Sequence, residues 1–363
     1  MLSHSKTTYM LVACDYDPVG NGRQIELAVS GLIAAGHRVS VVLVSSGGCL
    51  TDRLQAVGAT VYVVNGRPAA VRMSATFQVA EIIRNEQPQT VIGWSVETAV
   101  IVGSARVLTR PSQHSWRYIQ QVSQSSLTMV EAAIVGQADQ IIVMEESALQ
   151  ACERMESLQA IRFVPPAAVA FNEMVDREQL ALQIGLDSNK KWTLCVAPLI
   201  SQSRIDRLIW GFDQMAVARD DVEHIVVGSG KLLRRLQRRA WIEEVDASIH
   251  WFENLPALPS LLRHIQLILQ SGCVAYGGCL LEGLSHGIPA VVIDTPPSRD
   301  VLGDSDAGIL VATDPGSEFA RRATELLENE ELRTRCASAG KQRAKEIFNK
   351  ETSISKLLEV LDS

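Results

Sequence analysis

Residues 271–311 read SGCVAYGGCLLEGLSHGIPAVVIDTPPSRDVLGDSDAGILV. Gly277 and Gly278, the apolar pair Leu280 and Leu281, and a single acid, Glu282, lie where a helix is expected to begin. That helix stops at His286-Gly287-Ile288-Pro289 and feeds an apolar strand over 290–293. A glycine-rich turn opening a helix presents backbone N–H groups and the positive end of the helix dipole, a setting in which phosphates bind. The stretch is therefore expected to supply half of a nucleotide site within a strand–turn–helix–strand unit of a parallel sheet.

Outward from this unit the same alternation recurs. Apolar runs at 9–14, 39–44, 61–64 and 90–93 are separated by amphipathic stretches at 22–35 and 75–85, and Gly36-His37 and Pro88 punctuate them. Runs at 193–197, 224–227, 248–251 and 267–269 alternate with helical patterns at 205–219, 231–243 and 260–264. The class is α/β, with two Rossmann-like, doubly wound domains and ligand expected at strand carboxyl ends. Prolines at Pro165 and Pro166 mark the boundary, giving domains 1–166 and 167–340 and a final helix over about 341–361 within a tail, 341–363.

Composition narrows the function. A chain of 363 residues with 47% hydrophobic and 21% charged content has enough apolar material for two cores and is not a disordered sequence. The net charge is −7, with 12 basic and 13 acidic residues through Pro166 against 22 and 28 after it. Neither half is a basic nucleic-acid surface, so no nucleic-acid partner is expected. Seven cysteines, Cys14, Cys49, Cys152, Cys195, Cys273, Cys279 and Cys336, lack C-x-x-C or Cys/His ligand spacing. They read as reduced thiols of a cytoplasmic protein. The run 9–14 is too short for a signal-peptide core, and no stretch reaches the roughly 20 apolar residues a membrane span needs.

The segment 274–289 resembles the family 4 glycosyltransferases of the GT-B fold, whose pattern here is E-G-F-G-x-x-x-L-E-A-x-x-x-G-x-P-V-V. The second glutamate of that pattern is Glu282, and the first is replaced by Val274. Weaker likenesses follow in order: 17–23 at the first helix, Gly36-His37-Arg38-Val39, Ala138-Asp139-Gln140-Ile141-Ile142-Val143, Val164-Pro165-Pro166, Val226-Val227-Gly228-Ser229-Gly230, and Ile249-His250-Trp251-Phe252 before a base-binding loop containing Asn254. The resemblance implies a GT-B architecture and a final helix packing back towards the first domain. It also implies metal-independent, retaining transfer from a nucleotide-diphosphate sugar to an acceptor that is a glycan, a lipid-linked molecule or a small molecule.

On this resemblance Glu282 binds ribose hydroxyls, Gly277 and Gly278 lie near the diphosphate, and Tyr276, Gly228, Asn254, Gly20 and Gly22 join the donor site. Each also has a structural reading: an acid in a helix first turn, or glycines in tight turns. Gly20 and Gly22 are not a nicotinamide fingerprint, because residues 39–46 contain no acid for a ribose. His286 reads as a protonated imidazole at a helix end, His37 as a turn residue, and His114 as a loop residue able to line a cleft. No G-x-S-x-G accompanies them. The run Lys231 to Arg239 sets leucines on one helical face and cations elsewhere, a solvated basic helix that also suits peripheral contact with anionic lipid.

Catalysis on a nucleotide sugar is dominated by donors aimed at the charge developing on the leaving diphosphate. The family supplies an Arg and a Lys in G-R-x-x-x-x-K-G. The equivalent stretch holds Pro198 at the Arg position and Ser203 at the Lys position, leaving Arg204, one residue late, as substitute cation. Where the family often has a histidine facing the sugar, this chain ends a strand in glutamines, and Gln120 is the expected sugar-hydroxyl contact. Two classes follow: a divergent retaining glycosyltransferase, or a catalytically silent GT-B protein that binds nucleotide, sugar or a partner transferase.

Overall fold

The computed structural model describes residues 7–14, 19–44, 50–64, 71–109, 115–154, 160–314 and 316–362. Cys49, His114 and residues 17 and 18 of the first helix-opening loop lie outside them. The chain forms two compact units. One comprises Met1–Tyr16, Asn21–Pro166 and Lys350–Ser363, the other Asp17–Gly20 and Ala167–Asn349.

The first unit runs β1 (Thr8–Cys14), α1 (Asn21–Ala34), β2 (Arg38–Val44), α2 (Leu50–Ala56), β3 (Thr60–Val64), α3 (Val71–Glu86), β4 (Thr90–Trp94), α4 (Val96–Thr109), β5 (Arg117–Val122), α5 (Met129–Val135), β6 (Gln140–Val143), α6 (Glu146–Glu153) and β7 (Ala160–Phe163). Its sheet has the order β3-β2-β1-β4-β5-β6-β7, and every pair is parallel. Helices on both faces explain why β1 is a continuous apolar run, with Tyr9 to Ala13 all buried.

The second unit runs α7 (Arg177–Ile184), β8 (Lys191–Val196), α8 (Ile205–Ala216), β9 (Val222–Val227), α9 (Leu233–Ile242), β10 (Ile249–Phe252), α10 (Leu258–Leu261), β11 (Leu267–Gln270), α11 (Leu280–His286), β12 (Ala290–Ile293), α12 (Pro296–Leu302), β13 (Gly308–Val311), α13 (Ser317–Glu328) and α14 (Glu330–Glu346). The sheet order is β10-β9-β8-β11-β12-β13, again wholly parallel. Its core gathers Leu208, Phe212, Val226, Leu269, Val291, Phe319 and Leu326. Gly287, at φ 73°, ends α11 in the left-handed conformation that glycine adopts without penalty, and Pro289 follows.

Two sequence expectations need correction. The single helix expected over 341–361 is two helices, α14 and α15 (Lys350–Asp362). Phe348 causes the break. Its side chain is buried and its carbonyl accepts the Ala168 N–H at 2.9 Å, so it is not available to continue an α-helical ladder. α15 packs on α1 within the first unit, where a Cβ on Gly31 would lie 2.8 Å from Ile354, and Arg117 Nη1 donates to the Leu361 carbonyl at 3.0 Å. The helix expected over 260–264 is the short α10 followed by a 3₁₀ turn, Leu262–His264.

Candidate functional site

In the second sheet β8 and β11 are parallel neighbours although two strands intervene in sequence, so the order in which successive strands are added reverses between them. Such a switch point opens a crevice outside the strand carboxyl ends. The loops leaving β8, β9 and β11 meet there through glycine. A Cβ on Gly228 would fall 2.0 Å from the Ala197 oxygen, one on Gly230 2.4 Å from that of Leu199, one on Gly272 2.3 Å from that of Gln202, and one on Gly278 2.2 Å from that of Val196. Backbone therefore lies directly on backbone, a packing open only to residues without a Cβ. Hydrogen bonds lock it: Leu199 N–H to Ser229 O at 2.8 Å, Leu232 N–H to Leu199 O at 3.1 Å, and Cys273 N–H to Gln202 O at 3.1 Å.

Glu282 lies in the first turn of α11, only 1% exposed. Its Oε1 accepts the N–H of Gly20 at 3.2 Å, and Gly20 itself packs so closely that a Cβ would come 2.5 Å from the Gly278 oxygen. Glu282 and Gly278 thus both lie against Gly20. Tyr276, Gly277 and Gly278 follow one another at φ 53°, 59° and 75°. The expectation that this turn leaves its N–H groups open is not met at the glycines. Gly277 N–H donates to Val274 O at 2.9 Å and Gly278 N–H to Ala275 O at 3.0 Å, closing a 3₁₀ turn. Tyr276 is fully buried, which makes it part of the scaffold, whereas Asn254, just beyond β10, is exposed.

The loop after β8 carries an internal bond, Ser203 Oγ to Pro198 O at 2.5 Å. Ser271 Oγ, across the switch point, donates to the carbonyls of Ser203 and Arg204 at 3.1 and 2.9 Å. The Arg204 backbone is left-handed at φ 49°, and its guanidinium meets Asp206 at 3.2 and 3.4 Å with the side chain 44% exposed. Val274 packs partly buried against the core.

Sequence reasoning missed Arg207 and Asp206, and read Arg239 only as part of a basic helix. Arg207 and Arg239 line a cavity of about 250 Å³ with Trp210, Ser271, Ile293 and Thr313, beside the carboxyl ends of β11 and β12. The volume is below the roughly 300–1,000 Å³ of whole-ligand pockets. Arg239 reaches Asp206 at 3.7 Å, so Asp206 faces two cations at once. Arg207 follows Arg204 by three residues, a helical spacing that was the available signal.

Two expectations are revised in their chemistry. Gln120, in β5 of the first unit, is fully buried with its amide engaged. Nε2 donates to the carbonyls of Ser95 and Gln121, each at 2.7 Å, and Oε1 accepts from Tyr118 Oη at 2.8 Å. It fills the space left by Gly93 on β4, where a Cβ would lie 2.3 Å from Oε1, so it is an interior strut and not a sugar contact. His286 is structural but not protonated at Nε2, which accepts the Phe171 N–H at 3.0 Å while the ring stacks on Phe171. Gly22 sits buried in the first turn of α1, within the first unit. His37 is packed edge-on to Tyr9. Among the described residues no group of three His, Cys, Asp or Glu is placed to hold a metal ion, and no helix is long and apolar enough to cross a membrane.

Residues 176–343 match the family described as Glycosyl transferases group 1. No curated protein matches the chain in sequence. Among solved structures, Anabaena HepE in complex with UDP and glucose superposes with a TM-score of 0.77 at 14% identity, covering 98% of this chain and 99% of that one. Sucrose-phosphate synthase from Thermosynechococcus elongatus gives 0.76 at 13% identity, with 98% of both chains covered. WaaG, a glycosyltransferase involved in lipopolysaccharide biosynthesis, gives 0.73 at 14%, with 97% and 99% covered. The chain thus has the GT-B fold, and its second unit is similar in sequence to the group 1 glycosyl transferases.

Proposed function

We propose that this protein is a retaining, metal-independent glycosyltransferase that takes a sugar from a nucleotide-diphosphate donor. The observation that carries the reading is a coincidence of position. The family match over 176–343 falls on the unit whose glycine-lined loops converge at the switch point beside Glu282. HepE was solved with UDP-glucose, which makes a uridine donor the first to try.

In the proposed reaction the bond between the anomeric carbon and the diphosphate oxygen breaks and its electron pair leaves on the phosphate. The acceptor oxygen bonds to the anomeric carbon, and the acceptor proton passes to the leaving phosphate. Glu282 accepts from ribose hydroxyls, the 276–278 turn and Gly228 hold together the loops against which the donor lies, and Asn254 lies on the base side. Arg204, turned from Asp206, faces the negative charge. Gly20 holds the Glu282 carboxylate in place.

A second reading, a silent GT-B protein that binds nucleotide or a partner transferase, is favoured by the bond between Ser203 and Pro198, which replaces both family cations. Calorimetry and mass spectrometry with UDP-, GDP-, ADP- and dTDP-sugars separate the two. Binding with slow donor hydrolysis supports the transferase, and binding in which the donor stays intact even with candidate acceptors present supports the silent protein.

A further inference from the structure

We propose that the outer face of α9 is a docking surface for anionic lipid bilayers. Residues 231–242 read KLLRRLQRRAWI, five cations and no acid, in a chain whose net charge is −7. The helix is seated by Leu236 and Ala240, both buried, with Leu232 and Leu233 packed partly against the core. That seat turns the remaining positions outward. Lys231, Arg234, Arg235 and Arg238 are exposed, and so are Trp241, at 67%, and Ile242, at 61%.

At 100° per residue Arg234, Arg238 and Trp241 fall on one outer stripe, with Arg235 and Ile242 flanking it. Arg239 is the exception, since it is held by Glu243 at 2.7 Å and Asp206 at 3.7 Å. The other four cations have no acidic partner among the described residues. Glu244 and Asp246, past the helix end, are the nearby exposed acids in sequence.

Unpaired cations beside an exposed tryptophan and isoleucine match a surface that is negative outside and apolar just beneath. Each cation close to an anionic leaflet multiplies partition by roughly five-fold, and the indole sits at the headgroup level. An acidic protein or a nucleic acid would satisfy the arginines but leave no reason for Trp241 and Ile242 to be bare.

The full chain is sedimented with vesicles of phosphatidylcholine alone and of phosphatidylcholine with an equal part of phosphatidylglycerol. The expected result is salt-sensitive binding to the anionic vesicles only. The double variant R234E/R238E is expected to bind at least roughly 30-fold more weakly, with an unchanged thermal melt. Brominated lipid is expected to quench tryptophan fluorescence in the native chain and not in W241F. Absence of binding, equal binding to both vesicles, full binding by R234E/R238E, or quenching that persists in W241F would each overturn the proposal.

Discussion

Ser203 Oγ donates to the carbonyl oxygen of Pro198 at 2.5 Å, so two residues five positions apart in the loop after β8 are tied to each other. The loop after β8 is thereby closed on itself and pinned to Ser271 from across the switch point. Removing the hydroxyl in Ser203→Ala takes from the Pro198 carbonyl one of its two partners, the other being the Ile200 N–H. Urea unfolding is expected to show a loss of about 1 kcal/mol; an unchanged midpoint would mean that the bond contributes nothing to the loop.

Arg204 is the cation of that loop, and under the proposed function Asp206 would compete with the donor for it. Because this pair is exposed, breaking it costs the fold under about 1 kcal/mol. Arg204→Ala is expected to reduce turnover by about 10²-fold. Asp206→Asn, which frees the guanidinium, is expected to tighten donor binding. Equal turnover in native enzyme and Arg204→Ala would remove Arg204 from the site.

Gly278 combines a φ of 75° with a backbone approach that leaves no room for a Cβ. Gly278→Ala is expected to lower stability by about 1–3 kcal/mol through overpacking, and by more if the left-handed strain adds to it. Donor affinity should fall with it, and calorimetry on the folded fraction reads that loss directly.

His224 is expected to contribute an acid limb to stability. Burial and, to a smaller degree, the neighbouring His250 hold its pKa down at about 3, while the ring stacks on Phe212 and Nδ1 meets Thr193 Oγ1 at 2.8 Å. The unfolded imidazole takes its proton near 6.5. Between those values the unfolded chain holds more protons, so this residue's contribution makes stability fall as pH falls, by at most about 1.4 kcal/mol per pH unit. His224→Gln is expected to flatten that limb between pH 6.5 and 3. An unaltered difference in stability between pH 6.5 and 4 would place the titration elsewhere.

Much of the fold was legible because its signals are local. Apolar runs of β1 and β12, the Gly287 and Pro289 stop, and the glycine turn before Glu282 can all be read within a few residues. What escaped depends on partners distant in sequence. Gln120 reads as a polar strand end until Gly93 is seen opposite it. The break after α14 depends on Ala168 taking the Phe348 carbonyl. The glycine turn was placed correctly, but its N–H groups close on Val274 and Ala275, because three left-handed residues in succession curl the backbone inward.

Glu282 is the residue on which the proposed donor site turns, buried in α11 with the Gly20 N–H on its carboxylate. The most direct measurement is a calorimetric titration of UDP-glucose into the native chain and into Glu282→Gln, with unfolding curves for both. Saturable binding by the native chain, weakened by about 10–100-fold in a folded Glu282→Gln through loss of charged hydrogen bonds to the ribose, is the expected result. Equal affinity in the two proteins would contradict the assignment of Glu282 to the donor ribose.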